Sequence, residues 1–483
     1  MTGTLAQRTI SGMLWNSLQR FGTLSISFLV NLVLARLLSP EDFGCIGMLM
    51  VFIAVANAFI DGGFGAALIQ KKFPTQEDYS TVFYWNLVLS AVLFITLFFA
   101  APAIARFYKI PLLCDVLRVQ SSILILNAFY LVPSNILRKK LEFKSLAKVS
   151  IVSSLLSAVI GITLALCGFG VWSLVANMFF LSLFQALFFW FWYEWRPLFF
   201  FSWKSFKELF SFGSLMLLSS VVETIYGNVS SLIIGRVYSA RDLGFYTQAK
   251  KVEMVPTNSL ANIVNSVTFP VFSQVQDDRE QLRYYVQKNV KSITFITFPL
   301  MALLIVVAQP LFTFLFTDKW DSAVPYFQIL CVVGMVDTLN STNTNVFKSL
   351  GKSGIFFTVQ LIKRSLGIVS ILIGLQYGIS GLLWGITISG YLNFFINAFV
   401  TGRLINYGIK EQMRDVGLSY LLALIAGCVT FFLFSFVEWH YFISLVAQAI
   451  VYAVVYLGGA SVMKLEGYSI YRKILIDRMK KVI

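Results

Sequence analysis

Long apolar runs, broken by short polar and charged segments, recur along the whole chain. Each run is long enough to cross the roughly 30 Å hydrocarbon core of a bilayer as a helix. Reading the runs against turn and charge signals predicts fourteen membrane-spanning helices, at 12–37, 43–69, 80–105, 116–137, 146–167, 170–192, 209–235, 243–272, 286–308, 323–347, 354–375, 379–402, 416–437 and 440–463. The predicted fold class is therefore an all-α integral membrane protein.

The first span carries one polar stripe. Its members are separated by four, three, four and four positions, so they share one helix face: Asn16, Arg20, Thr23, Ser27 and Asn31. An arginine in hydrocarbon is costly, so this face is expected to border a water-filled cavity or a partner. The five residues are therefore candidate substrate-binding residues.

The end of the first span recurs two hundred residues later. Residues 34–44, LARLLSPEDFG, align without gaps on residues 234–244, IGRVYSARDLG. Because six spans precede the second copy, both copies enter the membrane in the same direction. The repeat predicts two six-helix lobes related by a pseudo-twofold axis along the membrane normal, with a substrate site between them.

This repeat gives a four-part organisation. The predicted parts are an N-lobe with spans 1–6 (1–194), an interfacial linker (195–208), a C-lobe with spans 7–12 (209–408), and two further spans with a tail (409–483). The linker mixes aromatic and basic residues and contains Pro197, which stops a helix. In the tail, an amphipathic helix is predicted from apolar residues opposite basic ones: Ile470, Tyr471, Ile474 and Leu475 against Arg472, Lys473, Arg478, Lys480 and Lys481.

Composition supports the membrane class. Of 483 residues, 58% are hydrophobic and only 13% are charged, which is too apolar for a soluble protein. The net charge of +15 does not indicate nucleic-acid binding, because the basic residues lie between apolar spans. The five cysteines lack metal-ligand spacing and are expected to be packing residues, and one histidine cannot form a histidine cluster.

The distribution of lysine and arginine predicts the orientation. Loops on the side of the amino terminus hold 26 of these residues, and the opposite loops hold 7. Positive charge is retained in the cytoplasm, so both termini are expected there.

Nine Asp, Glu, Lys or Arg residues lie more than five positions from either end of a predicted span, five of them cationic: Arg20, Asp61, Glu223, Lys250, Lys251, Glu253, Asp337, Lys363 and Arg364. An excess of fixed positive charge suits a substrate that carries phosphate. Lys250, Lys251, Lys363 and Arg364 therefore join Arg20 as candidate substrate-binding residues. The alternative is internal pairing or snorkelling, which weighs most for Lys250, Lys251 and Glu253 near a helix end.

Three of the acids are candidates for ion coupling: Asp61, Glu223 and Asp337. The repeat places Glu223 where the first half has Thr23. Asp61 opens the sequence DGGFG, whose glycines let a helix bend or approach another closely. Asp61 is expected either to bind H⁺ or Na⁺ or to accept hydrogen bonds from freed backbone amides, and the sequence leaves both alternatives open.

Catalytic constellations are not apparent. No histidine-based triad or metal cluster can be assembled, and Gly351-Lys352-Ser353 lacks the first glycine of a phosphate loop. The chain is therefore predicted not to be an enzyme and not to need a cofactor. Any coupling would draw on H⁺, Na⁺ or the substrate gradient.

Four motifs resemble a known family: ARLLSPEDFG (35–44), DGGFGAALIQ (61–70), APAIARFY (101–108) and WRP (195–197). The chain is similar over essentially its full length to the polysaccharide transporters of the MOP superfamily, the Wzx-like flippases, and within them to the colanic-acid and teichuronic-acid exporters. The resemblance implies a fourteen-helix, two-lobed alternating-access transporter in a bacterial inner membrane.

The function implied by the resemblance is translocation of an undecaprenyl-pyrophosphate-linked oligosaccharide from the cytoplasmic to the outer leaflet. Partners would be this lipid-linked substrate, membrane lipids, and a polysaccharide polymerase with other assembly proteins, and the transporter is expected to be a monomer. The alternative is a cation-coupled multidrug antiporter, which would favour an acidic cavity. A non-transporting membrane scaffold explains neither the buried charges nor the repeat.

Overall fold

The computed structural model describes residues 5–436 and 439–473, and these residues are almost entirely helical. The α-helices are α1 Leu5–Leu37, α2 Pro40–Asp61, α3 Phe64–Gln70, α4 Gln76–Tyr108, α5 Leu112–Ser121, α6 Ile123–Lys139, α7 Phe143–Leu166, α8 Val171–Trp192, α9 Trp203–Val237, α10 Ala240–Gln274, α11 Arg279–Val306, α12 Ala308–Phe316, α13 Val324–Ser349, α14 Ser353–Leu375, α15 Gly378–Ile405, α16 Ile409–Phe434 and α17 Tyr441–Val462. A 3₁₀-helix, Asp318–Ala323, precedes α13.

Each of the fourteen predicted spans coincides with one of these helices or with two consecutive ones. By length and composition, thirteen spans among the described residues can cross a membrane. The predicted span at 243–272 is helix α10, which falls outside this set because polar residues are spread along it. The all-α membrane fold is confirmed, whereas the count of fourteen stays a prediction.

Short polar sequences fix where the long helices begin. Before α2, the Ser39 hydroxyl accepts a hydrogen bond from the backbone N–H of Asp42, and the Asp42 carboxylate accepts one from the backbone N–H of Ser39. Thr75 and Asp78 form the same capping box before α4. Such caps satisfy backbone donors that a helix start leaves free.

The chain forms two compact units, Met1–Gly244 and Phe245–Ile483. The first unit holds α1 to α9 and the first turn of α10. Its core includes an aromatic cluster in which Phe64 and Phe83 are buried and Trp85, Trp195 and Phe206 pack against them. Here α1 packs along α7, and α9 packs against α2, α3 and α4.

Helix α9 therefore joins the first unit, although the repeat makes it the first helix of the second lobe. Its amino-terminal end is tied by Lys71, whose ammonium lies 3.1 Å from Glu208 and 3.0 Å from the buried carboxylate of Asp78. Burial opposes the charge of Lys71, but its hydrogen bonds with Asp78 and Glu208 outweigh that effect and raise its pKa above the ordinary value. The predicted lobe boundary at 195–208 follows the repeat and stays a prediction.

The predicted linker is fastened to the start of α4. The indole N–H of Trp195 donates to Gln76 over 2.7 Å, and the Gln76 amide donates to the carbonyl of Arg196 over 2.6 Å. Further along, the backbone N–H groups of Leu198 and Ser202 donate to hydroxyl groups of α4. Because these bonds satisfy non-helical backbone, the linker has a fixed path across the first unit.

The second unit is organised around α13, which packs against α11 and α15. Asn343 of α13 and Gln412 of α16 are fully buried, and their amide groups exchange hydrogen bonds of 3.0 and 2.8 Å. The start of the predicted tail helix is also in place, because residues 466–473 are helical and Tyr471 stacks on Phe295. The rest of the tail prediction, including Ile474, Leu475, Arg478, Lys480 and Lys481, lies outside the described residues.

The Asn343–Gln412 pair yields a stability prediction. Asn343→Leu leaves the buried side-chain carbonyl of Gln412 without its donor, which costs about 1–3 kcal/mol, so thermal unfolding of the detergent-purified protein should shift to lower temperature. Replacing both partners, with Asn343→Leu and Gln412→Met, should restore most of this loss. Stability losses that simply add in the double variant would contradict the assignment.

Candidate functional site

The polar stripe of α1 lies beside the face of that helix that packs on α7. Gln19 marks the packed face, because its amide donates to the Ser150 hydroxyl of α7 over 2.9 Å. Arg20, a member of the stripe, is the next residue, so its side chain points about 100° around the helix axis from that of Gln19. Three of its members are exposed on the first unit: Asn16, Arg20 and Ser27.

The two remaining members of the stripe are covered to different degrees. Thr23 is half-buried, and its hydroxyl donates to the backbone carbonyl of Gln19 over 2.7 Å. Asn31 is 5% exposed. The stripe therefore runs from an open face to a buried end, and only its open part is available to a ligand.

The repeat-related positions of α9 show the same gradation. Glu223 and Gly227 are exposed, and Ser220 and Ser231 are half-buried. The ion-coupling candidate Glu223 thus lies on an exposed face of the first unit, and its role in coupling stays a prediction.

Asp61 is the last residue of α2, at a sharp backbone turn. Gly62 and Gly63 both have positive φ, and the Asp61 carboxylate accepts a hydrogen bond from the backbone N–H of Gly65. A β-carbon on Gly63 would lie 2.4 Å from the carbonyl oxygen of Gly213 in α9, so only glycine permits this contact. One of the two alternatives for Asp61, bonding to a freed amide, is thus present, and its role in ion coupling stays a prediction.

In the second unit, the structure brings Asp337, Lys363 and Arg364 together. Lys363 of α14 is half-buried, and both the Asp337 carboxylate of α13 and the neighbouring Arg364 guanidinium act on its charge. Its ammonium donates a long hydrogen bond of 3.5 Å to the side-chain carbonyl of Asn397 on α15. A flexible ammonium held by a neutral carbonyl keeps donors for a further ligand.

The candidates on α10 differ from one another in environment. The Lys250 ammonium lies 5.5 Å from the centre of the Tyr246 ring, whereas Lys251 is an exposed residue. Glu253 is 6% exposed, and its carboxylate accepts a hydrogen bond from the Thr257 hydroxyl. Glu253 therefore has an internal partner on the same helix.

The sequence-based candidates omitted two groups of carboxamides. Asn340 and Asn397 form the surroundings of Lys363, and Asn258 and Asn262 are exposed on α10 one turn apart. The signal was available, because residues 337–345 of α13 read DTLNSTNTN in an otherwise apolar helix. Carboxamides offer N–H donors to phosphate oxygens. They also form hydrogen bonds with sugar hydroxyl groups, which are uncharged and are not selected by charged side chains alone.

The basic and carboxamide candidates supply ammonium, guanidinium and amide N–H donors on membrane helices. Such donors suit phosphate oxygens, with Arg able to bind two of them at once. Among the described residues, no group of three His, Cys, Asp or Glu side chains is placed to hold a metal ion. Arg20 lies in the first unit and Lys363 in the second.

Comparison with known proteins supplies the family. Residues 33–325, more than half of the chain, match the family model described as polysaccharide biosynthesis protein. The chain is 26% identical over 432 residues to the teichuronic acid biosynthesis protein TuaB of Bacillus subtilis, covering 89% of each chain. It is also 26% identical to the lipopolysaccharide biosynthesis protein WzxC of Escherichia coli, covering 87% of this chain and 86% of that one.

Solved structures agree with the fold. The lipid II flippase MurJ in an inward closed conformation superposes with a TM-score of 0.77 at 18% identity, covering 96% of this chain and 100% of that chain. An inward-facing multidrug transporter of the MATE family, within the MOP superfamily, gives a TM-score of 0.62 at 18% identity, covering 80% of this chain and 99% of that one. The resemblance seen in the sequence motifs is confirmed: this chain is a multi-pass membrane protein that belongs to the polysaccharide biosynthesis protein family and has the MOP transporter fold.

Proposed function

We propose that the protein is a flippase that moves an undecaprenyl-pyrophosphate-linked oligosaccharide from the inner to the outer leaflet of a bacterial inner membrane. The family supports this function, because two relatives are named for teichuronic acid and lipopolysaccharide biosynthesis. A third, from Rhizobium meliloti, is named a succinoglycan biosynthesis transport protein. Transport by alternating access then requires no covalent step.

The single observation that carries the proposal is the environment of Lys363. This lysine lies within a membrane-spanning helix, half-buried, and its ammonium contacts the neutral carbonyl of Asn397. A cation placed in this way retains attraction for an anion entering a region of low dielectric constant. The pyrophosphate of a lipid-linked sugar is such an anion.

The remaining candidates take roles consistent with their positions. Arg20, Arg364, Lys250 and Lys251 attract the pyrophosphate, and the polar residues Asn16, Thr23 and Ser27 bind sugar hydroxyl groups, whereas the buried Asn31 supports the end of the stripe. Asp61, Glu223 and Asp337 are the candidates for H⁺ or Na⁺ coupling, and Asp337 is the one whose charge acts directly on a substrate candidate, Lys363.

The proposal includes the cellular setting. The excess of lysine and arginine on the side of the termini supports cytoplasmic termini in an inner membrane. A monomer would hand the flipped glycan to a polymerase and other assembly proteins on the outer face.

Reconstitution in liposomes tests this function. Each charge-assisted hydrogen bond contributes about 1.5–3 kcal/mol, so loss of two such bonds in the double variant Arg20→Ala, Lys363→Ala should slow translocation of a fluorescent undecaprenyl-pyrophosphate-linked oligosaccharide by roughly 100- to 10,000-fold. The measurement is the fraction of labelled lipid that becomes accessible to a quencher in the outer leaflet. The control is Lys352→Ala, because Lys352 is an exposed cation just before α14 and should not affect the rate.

A double variant that translocates at the rate of the unmodified protein would refute the pyrophosphate site. Efflux of organic cations without glycan translocation would instead assign the protein to the multidrug antiporters.

A further inference from the structure

Two hydrogen-bonded carboxamides, the half-buried Asn340 and the buried Asn397, lead from the backbone of α15 to Lys363. The Asn340 amide of α13 donates to the backbone carbonyl of Gly390 over 3.3 Å, and the Asn397 amide donates to the side-chain carbonyl of Asn340 over 2.8 Å. The Asn397 carbonyl in turn accepts the hydrogen bond from Lys363. Asn397, the central member, is fully buried, and Asn340 and Lys363 on either side of it are half-buried.

The direction of this chain is fixed at its backbone end. A backbone carbonyl can only accept, so Asn340 must turn its amide toward Gly390 and its carbonyl toward Asn397. Asn397 must then turn its own amide toward Asn340. The carbonyl of Asn397, and not its amide, therefore faces Lys363.

Close packing holds the backbone end in place. A β-carbon on Gly390 would lie 2.3 Å from the Val333 side chain, so α15 and α13 are in tight contact at this level. The carbonyl that orients Asn340 thus has little freedom to move.

We propose that Asn397 and Asn340 are positioning residues that hold the ammonium of Lys363 for a pyrophosphate ligand. One of the three ammonium donors is directed to Asn397, and the other two are retained for phosphate oxygens. This inference rests on the proposed function, and it adds two residues to the site.

A double-mutant cycle separates positioning from structural support. Binding of undecaprenyl pyrophosphate to the detergent-purified full chain is followed by tryptophan fluorescence. Lys363→Met should weaken binding by roughly 10-fold and Asn397→Ala by about 3- to 10-fold, and the double variant should bind no more weakly than Lys363→Met alone. Asn397→Ser, which keeps a polar group, serves as the second variant if Asn397→Ala does not purify as a monodisperse protein.

The outcomes are distinct. Unchanged binding by both Asn397 variants, or a further loss in the Lys363→Met background, would overturn the positioning role alone. Failure of the unmodified protein to bind undecaprenyl pyrophosphate would overturn the proposed function and the positioning role together.

A separate observation concerns the two repeat-related turns. Both lie in the first unit, and the span order predicted from the sequence puts both on the membrane side opposite the amino terminus. A β-carbon on Gly44 would lie 1.7 Å from the carbonyl oxygen of Ala240, and one on Gly244 would lie 1.9 Å from the carbonyl oxygen of Pro40. Each glycine therefore receives the carbonyl of the other turn, and this exchange is the pattern of a twofold-symmetric contact.

Charged side chains bridge the same contact. The Arg241 guanidinium lies 3.3 Å from the Glu41 carboxylate. Both side chains are about half exposed, so this pair alone contributes little to stability. The two turns are thus held together by a weak ion pair and by close backbone packing. We expect the free energy of separating them to be moderate.

We infer that residues 39–44 and 239–244 form a closure that must separate for substrate to leave on this side of the membrane. In a background without the five native cysteines, Glu41→Cys and Arg241→Cys are oxidised with copper phenanthroline in liposomes. The disulfide should reduce translocation to less than about one tenth of the rate before oxidation, and dithiothreitol should restore it. The control pair is Lys291→Cys with Glu466→Cys, whose charged atoms are 2.7 Å apart within the second unit and which should cross-link without effect.

Glycine variants probe the backbone contact itself. Gly44→Ala should lower the yield of the 41–241 disulfide at least about 3-fold, whereas Gly417→Ala should not, because a β-carbon there meets open space. Failure of the pair to cross-link, or full transport after cross-linking, would overturn the closure.

Discussion

The structure depends on one constraint: a polar or charged group inside a membrane must find a partner or face water. An unpaired amide or ammonium in hydrocarbon costs several kcal/mol, so most such groups are expected to have a partner. In the second unit, the amides of Asn343 and Gln412 exchange hydrogen bonds, and each amide also donates to a backbone carbonyl. The Lys363 ammonium, by contrast, donates one hydrogen bond, to Asn397. This difference in hydrogen bonding distinguishes a structural polar group from a functional candidate.

The same constraint explains why the first unit contains an open stripe. Arg20 and Ser27 lie on a face of α1 that α7 does not cover, whereas Asn31 is enclosed. Long apolar neighbours on α1, such as Leu18 and Leu29, are also exposed and tolerate acyl chains. A helix with one polar and one apolar open face can border water on one side and lipid on the other.

Much of the fold could be predicted from the sequence because hydrocarbon thickness and helix geometry leave little choice of element. Over the described residues, each predicted span falls on one helix or on two consecutive helices. Helix α2 begins where Ser39 and Asp42 form a capping box. The membership of α9 in the first unit could not be predicted, because it depends on the approach of Gly213 to Gly63 and on the ion pair of Glu208 with Lys71. Such contacts join residues far apart in the chain, and periodicity carries no information about them.

The charged candidates and the polar run 337–345 stand out in the sequence, whereas Asn397 does not. Arg20, Lys363 and Asp337 are conspicuous because ionisable residues are rare in apolar spans. Asn397 is inconspicuous in the sequence, and its role arises only where α13, α14 and α15 meet. The direction of its amide is a property of the packed network, so no spacing rule could have identified it.

The central claim is that the α1 stripe faces water, and thiol accessibility tests it most directly. Single cysteines at Arg20, Ser27, Leu18 and Leu29 are placed in a cysteine-free background, reconstituted and treated with a water-soluble, membrane-impermeant maleimide. All four side chains are exposed on the first unit, so the comparison reports on the surrounding solvent and not on burial. Cysteines at 20 and 27 should react at least about 10-fold faster than those at 18 and 29, and equal rates at all four positions would contradict the account.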